Sequence, residues 1–195
     1  MSGTATFNTF SYLLKGAHRL AQTAKDHDTG SNYCRISAVA FSAFAIEAHL
    51  NHIGEAKLPF WSIVEPKLPW RAKLDLIVKQ FGITPDYGKR PFQTLGDMFK
   101  FRDRLAHGKT TTEEKSYECH GNREDDRGSL DPDWLKKFWS DEAVERVLED
   151  TREIIELLHT KAGFEPHSLH VIGSGEFREV NHKHAEPGAA ADGGA

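Results

Sequence analysis

Apolar residues recur at helical spacing along most of this chain. Over residues 7 to about 27, Phe10, Leu13, Leu14, Ala17, Leu20, Ala21 and Ala24 form one stripe, which predicts an amphipathic helix. Residues 28–32 contain Asp28 and Gly30 and read as a loop, with Ser31 or Asn32 capping the next helix. That helix, roughly residues 33–53, has a different character. From Ile36 to Leu50 it is apolar or small nearly all round, and Glu47 is its one charged residue. A helix apolar on every side is normally buried among others. Gly54 is placed to end it.

Residues 55–69 read as a linker with prolines at 59, 66 and 69. Residues 70 to about 81 predict a short helix bearing Leu74, Ile77, Val78 and Phe81, stopped by Gly82. After a turn-rich loop at 84–90, residues 91–106 predict another helix with Pro91 in its first turn. Residues 108–130 are a long polar stretch, and connections of that length are usually functional or disordered. Asp131-Pro132 opens the last helical region, which starts with Trp134, Leu135 and Phe138 and breaks near Ser140 or Asp141. It continues through Val144, Val147, Leu148, Ile155 and Leu158 to about Lys161, with Gly163 as its stop. Residues 167–172 predict a short strand, and the Gly/Ala-rich residues 185–195 predict disorder. The sum is an all-α bundle of about five helices folded around the apolar second one.

Composition narrows this picture. Hydrophobic residues are 38% and charged residues 28%, ordinary for a soluble domain, and no apolar run approaches the ~20 residues of a membrane span. Residues 1–7 lack a basic n-region, so no secretory signal is expected. Cys34 and Cys119 lie far apart, which argues for reduced thiols and a cytoplasmic location. Net charge is −4, against indiscriminate nucleic-acid binding. Yet ten of the 25 Lys and Arg residues, and only four of the 29 acids, fall within residues 67–109. That asymmetry predicts either a local basic surface or ordinary solvated helix faces.

The most pointed chemistry lies within the 91–107 helix. In projection, Leu95, Met98, Phe99, Leu105 and Ala106 all fall within about 60° of Arg102, so Arg102 sits at the centre of the apolar stripe. A guanidinium held against a core is costly unless paired or lining a cleft. Glu47, alone in its apolar helix, is the candidate partner. Taken by itself, this pair reads equally well as a buried structural ion pair. His107 projects about 140° from Arg102, although a helix ending there leaves its direction open. Asp103, four residues earlier, is placed to hydrogen-bond its ring. A histidine in a last turn is also simply favoured by the helix dipole.

The string FRDRLAHG, residues 101–108, resembles the R-x(4–6)-H motif of HEPN domains (higher eukaryotes and prokaryotes nucleotide-binding). Arg102, Asp103 and His107 occupy its positions, with Asp103 where Asn is commoner. AIEAHLN, residues 45–51, looks like the family's Glu-bearing helix. The resemblance implies a HEPN-like bundle over residues 1–163 and an extension over 164–195. It implies a metal-independent endoribonuclease acting as a homodimer, with two motifs forming one composite cleft. His107 would activate the ribose 2′-OH or protonate the leaving oxygen. Arg102 would stabilise the phosphorane, and Glu47 and Asp103 would orient these two. Lys100, Arg104 and Lys109 would hold the RNA backbone, and the 108–130 loop would shape access. The resemblance allows a toxin or defence effector with a separately encoded antitoxin. It equally allows a non-catalytic module for dimerisation or RNA/nucleotide binding.

No cofactor and no metal are expected. His49 and His52 stand three apart, and adding Cys119, His120, His182 or His184 would suggest a metal site, but no HExxH, CxxC or 2-His-1-carboxylate pattern occurs. Gly173-Ser174-Gly175 lacks the following helix of a phosphate loop. Trp61, Trp70, Trp134 and Trp139 read as core or interface anchors.

Overall fold

A computed structural model describes residues 2–110, 112, 114 and 131–178. Residues 8–172 form one compact unit, an all-α bundle. Its five long helices are α1 (Thr9–Asp26), α2 (Ser31–Lys57), α4 (Trp70–Gln80), α5 (Phe92–His107) and α7 (Asp141–Lys161). Among the described residues two single-turn α-helices, α3 (Trp61–Val64) and α6 (Asp133–Lys136), join them. The strands β1 (Ser2–Phe7) and β2 (Gly173–Arg178) form a separate two-stranded antiparallel unit, with Ser2 opposite Arg178 and Phe7 opposite Gly173. The described residues contain no helix long and apolar enough to cross a membrane.

α2 is the centre of the bundle and packs against α1, α4, α5 and α7. Its Ala38, Val39, Ala43, Ala45, Ile46, Leu50 and Ile53 are fully enclosed. Small residues Ala17, Ala21 and Ala24 on α1 let the two helices approach closely. The enclosure is incomplete, however. Tyr33 and Phe44 leave one stripe of α2 open to solvent, so this helix is not buried all round as its composition predicts.

Several boundaries differ from expectation, each for a local reason. Gly30, at φ 77°, occupies the N-cap of α2. Ser31 and Asn32 lie inside the first turn and accept hydrogen bonds from Arg35 Nη1 at 2.9 and 3.2 Å. Gly54 does not end α2, which runs on to Lys57. A Cβ there would fall inside the indole of Trp61, so glycine serves packing instead of termination. Pro91 stands at the N-cap of α5, one position before its first turn. Ser140 caps α7 and accepts from the Ala143 amide at 3.2 Å. Gly163 turns the chain at φ 72°, as its position suggests.

The strand expected at 167–172 is instead a 3-10 turn over Pro166–His170. This turn belongs to the bundle, which therefore continues beyond Gly163. Ser11 Oγ donates to the Leu169 carbonyl at 2.8 Å, and His159 reaches Ser168. The strand at 2–7 was unanticipated because its partner lies about 170 residues away in sequence. Cys119, the bulk of the 108–130 loop and residues 185–195 lie outside the described residues.

The core also holds a histidine relay. His159 Nε2 lies 2.8 Å from Ser168 Oγ and 3.2 Å from the Glu165 carbonyl. A carbonyl only accepts, so the proton of His159 is on Nε2. Its Nδ1 must then accept from His49 Nε2, 3.2 Å away. This leaves buried His49 Nδ1 without a partner among the described residues. Protonating it would create an unsatisfied buried charge. Burial, with His159 and His52 nearby, holds His49 well below the ordinary histidine range, and burial also lowers His52 and His159.

Two outcomes follow from these contacts. A folded-state pKa below the unfolded value of 6.5 gives stability that is complete above that pH and declines as pH falls below it. The urea midpoint should therefore drop between pH 7.5 and pH 5.5, and His49→Asn should shrink that drop. A pH-independent midpoint would mean the relay is not held neutral. Second, Gly54→Ala should destabilise by about 1–3 kcal/mol in urea unfolding despite alanine's better helix propensity, because Trp61 has no room to yield.

Candidate nucleic-acid interface

Helix α5 carries two faces with different tasks. Phe92, Leu95, Met98, Phe99 and Phe101 are buried, and Arg102 lies among them with its side chain only 16% exposed. Leu105 and Ala106, placed in the same stripe by projection, are exposed because the last turn of α5 extends past the core.

Arg102 meets Glu47. Its Nη2 donates to Glu47 Oε2 at 2.8 Å, and Nη1 lies 3.1 Å from Asp103 Oδ1. The guanidinium also stands over the Phe99 ring at 5.1 Å and the Phe44 ring at 5.8 Å. Its Nε is buried with no partner among the described residues. The second oxygen of Glu47 lies 3.8 Å from Lys73 Nζ. Lys73 is itself buried and donates to Glu65 Oε1 at 2.6 Å and Asn51 Oδ1 at 3.0 Å. Four helical segments therefore share one ionic network, in which each desolvated cation has carboxylate partners.

Lys73 escaped the sequence reading. The signal was present: Trp70 and Ile77, three before and four after it, put it on the core face of α4. Asp150 is a parallel case on α7. It is buried and takes hydrogen bonds from Arg90 Nε at 2.9 and 3.0 Å and from Thr94.

His107 belongs to the other face. Because α5 remains helical to His107, the projected offset from Arg102 holds. Lys100, Arg104 and His107, at i, i+4 and i+7, form one exposed stripe opposite Arg102. This stripe walls an open groove of about 720 Å³, to which Asp97 and Asp103 also contribute. Trp134, Lys137 and Phe138 form the facing wall, at and just after α6. Arg104 stands over the Trp134 ring at 5.4 Å, and Lys137 pairs with Asp97 at 2.7 Å.

The structure thus separates the residues that the motif groups together. Asp103 alone touches both the network and the groove; Arg102, Glu47 and Lys109 do not line the groove. Asp103 is directed to Arg102, and among the described residues no hydrogen bond joins it to the His107 ring. The basic stretch is likewise not one surface. Arg71, Lys73, Lys89, Arg90 and Arg102 are all ion-paired, while Lys100 and Arg104 form no ion pair among the described residues. Of the cations in this stretch that have no ion pair among the described residues, Lys100 and Arg104 line the groove.

No family model, no curated protein and no solved structure matches this chain.

Glu47→Gln should cost about 2 kcal/mol in urea unfolding, since it leaves Arg102 and Lys73 short of counter-charge in a site only partly open to water. Asp103→Asn, at a side chain 48% exposed, should cost under about 1 kcal/mol. Equal losses would place the anchoring charge on Asp103.

Proposed function

We propose that this chain is a HEPN-type domain that binds RNA in the α5–α6 groove and cleaves it there without a metal ion. One observation carries this reading: His107 shares a groove wall with Lys100 and Arg104, two cations that no acid among the described residues pairs. Histidine gains and loses a proton near neutral pH, and the cations supply charge to phosphate oxygens. The reaction needs only RNA. The ribose 2′-oxygen attacks the adjacent phosphorus as its proton leaves, and the bond to the 5′-oxygen breaks as that oxygen gains a proton. The products are a 2′,3′-cyclic phosphate and a 5′-hydroxyl.

One His107 serves only one of these proton transfers at a time. A second copy of the chain supplies the other, so the reading entails a homodimer. Arg102 acts here as a positioning residue. Held by Glu47, it fixes the end of α5 that bears His107, and phosphate charge within one chain falls to Lys100 and Arg104. A toxin or defence effector restrained by a separately encoded antitoxin, working in the cytoplasm, fits this chemistry.

The engagement of Arg102 by Glu47 and its absence from the groove favour a second reading, a non-catalytic RNA- or nucleotide-binding module. Cleavage of end-labelled RNA in EDTA separates the two. Wild type should produce 2′,3′-cyclic ends, and His107→Ala at matched oligomeric state should be slower by about 100-fold or more. Binding without cleavage by either protein would leave the module. Unchanged cleavage by His107→Ala would remove His107 from the chemistry.

A further inference from the structure

The groove has a second wall that the phosphate-binding reading leaves unused. Trp134 is half-buried, and its ring packs against buried Phe101 at 5.7 Å between centroids. Phe101 in turn meets buried Phe138 edge-on at 4.7 Å. The indole is thereby held by a fixed aromatic cluster instead of swinging freely. Toward the groove, the Arg104 guanidinium stands over it at 5.4 Å. A flat, charge-delocalised group thus already rests against the indole.

We infer that Trp134 is a nucleobase platform, and that the groove grips single-stranded RNA by a base stacked on Trp134 with its phosphates on Lys100, Arg104 and His107. This rests on the RNA-binding reading of the same groove. Aromatic platforms facing a cationic stripe are the general means of holding single strands, because every base has a π-face. Arg104 would serve both parts, stacking on one side and meeting phosphate on the other. A cavity of about 720 Å³ is of small-ligand size, which suits a nucleotide with its flanking phosphates.

The test compares 2′-O-methyl octa-adenylate, which lacks the attacking hydroxyl and is not cut, with an abasic oligomer of the same length and charge. Wild type should bind the base-bearing strand roughly tenfold more tightly. Trp134→Phe should keep most of that preference and Trp134→Ala should lose it, read as the ratio of base-bearing to abasic affinity within each variant. Intrinsic fluorescence provides a second arm that does not depend on the alanine variant folding. The base-bearing strand should quench wild-type emission, and the quenching should vanish in Trp134→Phe. A folded Trp134→Ala that retains the preference, or quenching undiminished in Trp134→Phe, would overturn the platform while leaving RNA binding in place. Failure of wild type to bind either oligomer would overturn both the platform and the groove's assignment to RNA.

Discussion

A guanidinium facing a helical core can stay there only if a carboxylate meets it, and this requirement joins α5 to α2. Arg102 supplies the charge and Glu47 the carboxylate, 2.8 Å apart. The demand shapes the neighbourhood. One Glu47 oxygen is left to Lys73, so α4 enters the same network, and Glu65 completes the coordination of Lys73. Each member would be an expensive buried charge alone. Together they fix the relative placement of α2, α4 and α5 far more directionally than apolar contact does.

That anchoring has a consequence on the opposite side of α5. A helix pinned through Arg102 presents residues half a turn away at a defined angle, and those residues are Lys100, Arg104 and His107. The same short motif therefore does two things. Its arginine is tied inward and its histidine is displayed outward. The groove is then completed by Trp134 and Lys137, whose position depends on Phe138, just after α6, packing onto Phe101.

The core elsewhere follows the same logic of buried polarity with assigned partners. Asp150 ties α7 to Arg90, just ahead of α5, and to Thr94 in its first turn, and the His49–His159 pair carries one chain of hydrogen bonds out to Ser168. In the histidine pair the assignment ends on an unpartnered acceptor, so the arrangement tolerates neutral rings and not charged ones. Such groups make the packing specific, since each needs one orientation of its neighbour.

Periodicity measures angle about a helix axis, and what depends on that angle was readable from residue order. The five long helices, the inward face of Arg102 and its need for an acid all belong here, whereas the direction of His107 was fixed only by α5 remaining helical to that residue. Glu47 could be named because it was the lone charge in the apolar stretch 36–50. The exposed Leu105 and Ala106 show where angle fails, since it says nothing of where along its axis a helix leaves the core. Lys73, missed although its angle placed it inward, shows that a cation flanked by apolar residues must be tested like Arg102. Distances between separate segments were settled only by tertiary packing. It gave Asp103 to Arg102 instead of His107, paired half the basic stretch with acids, turned residues 166–170 into a capping turn and brought Trp134 opposite His107. The physical reason is that one helix fixes the directions of its own side chains, whereas a groove needs two walls, and the second comes from wherever the remaining apolar surface drives the chain to pack.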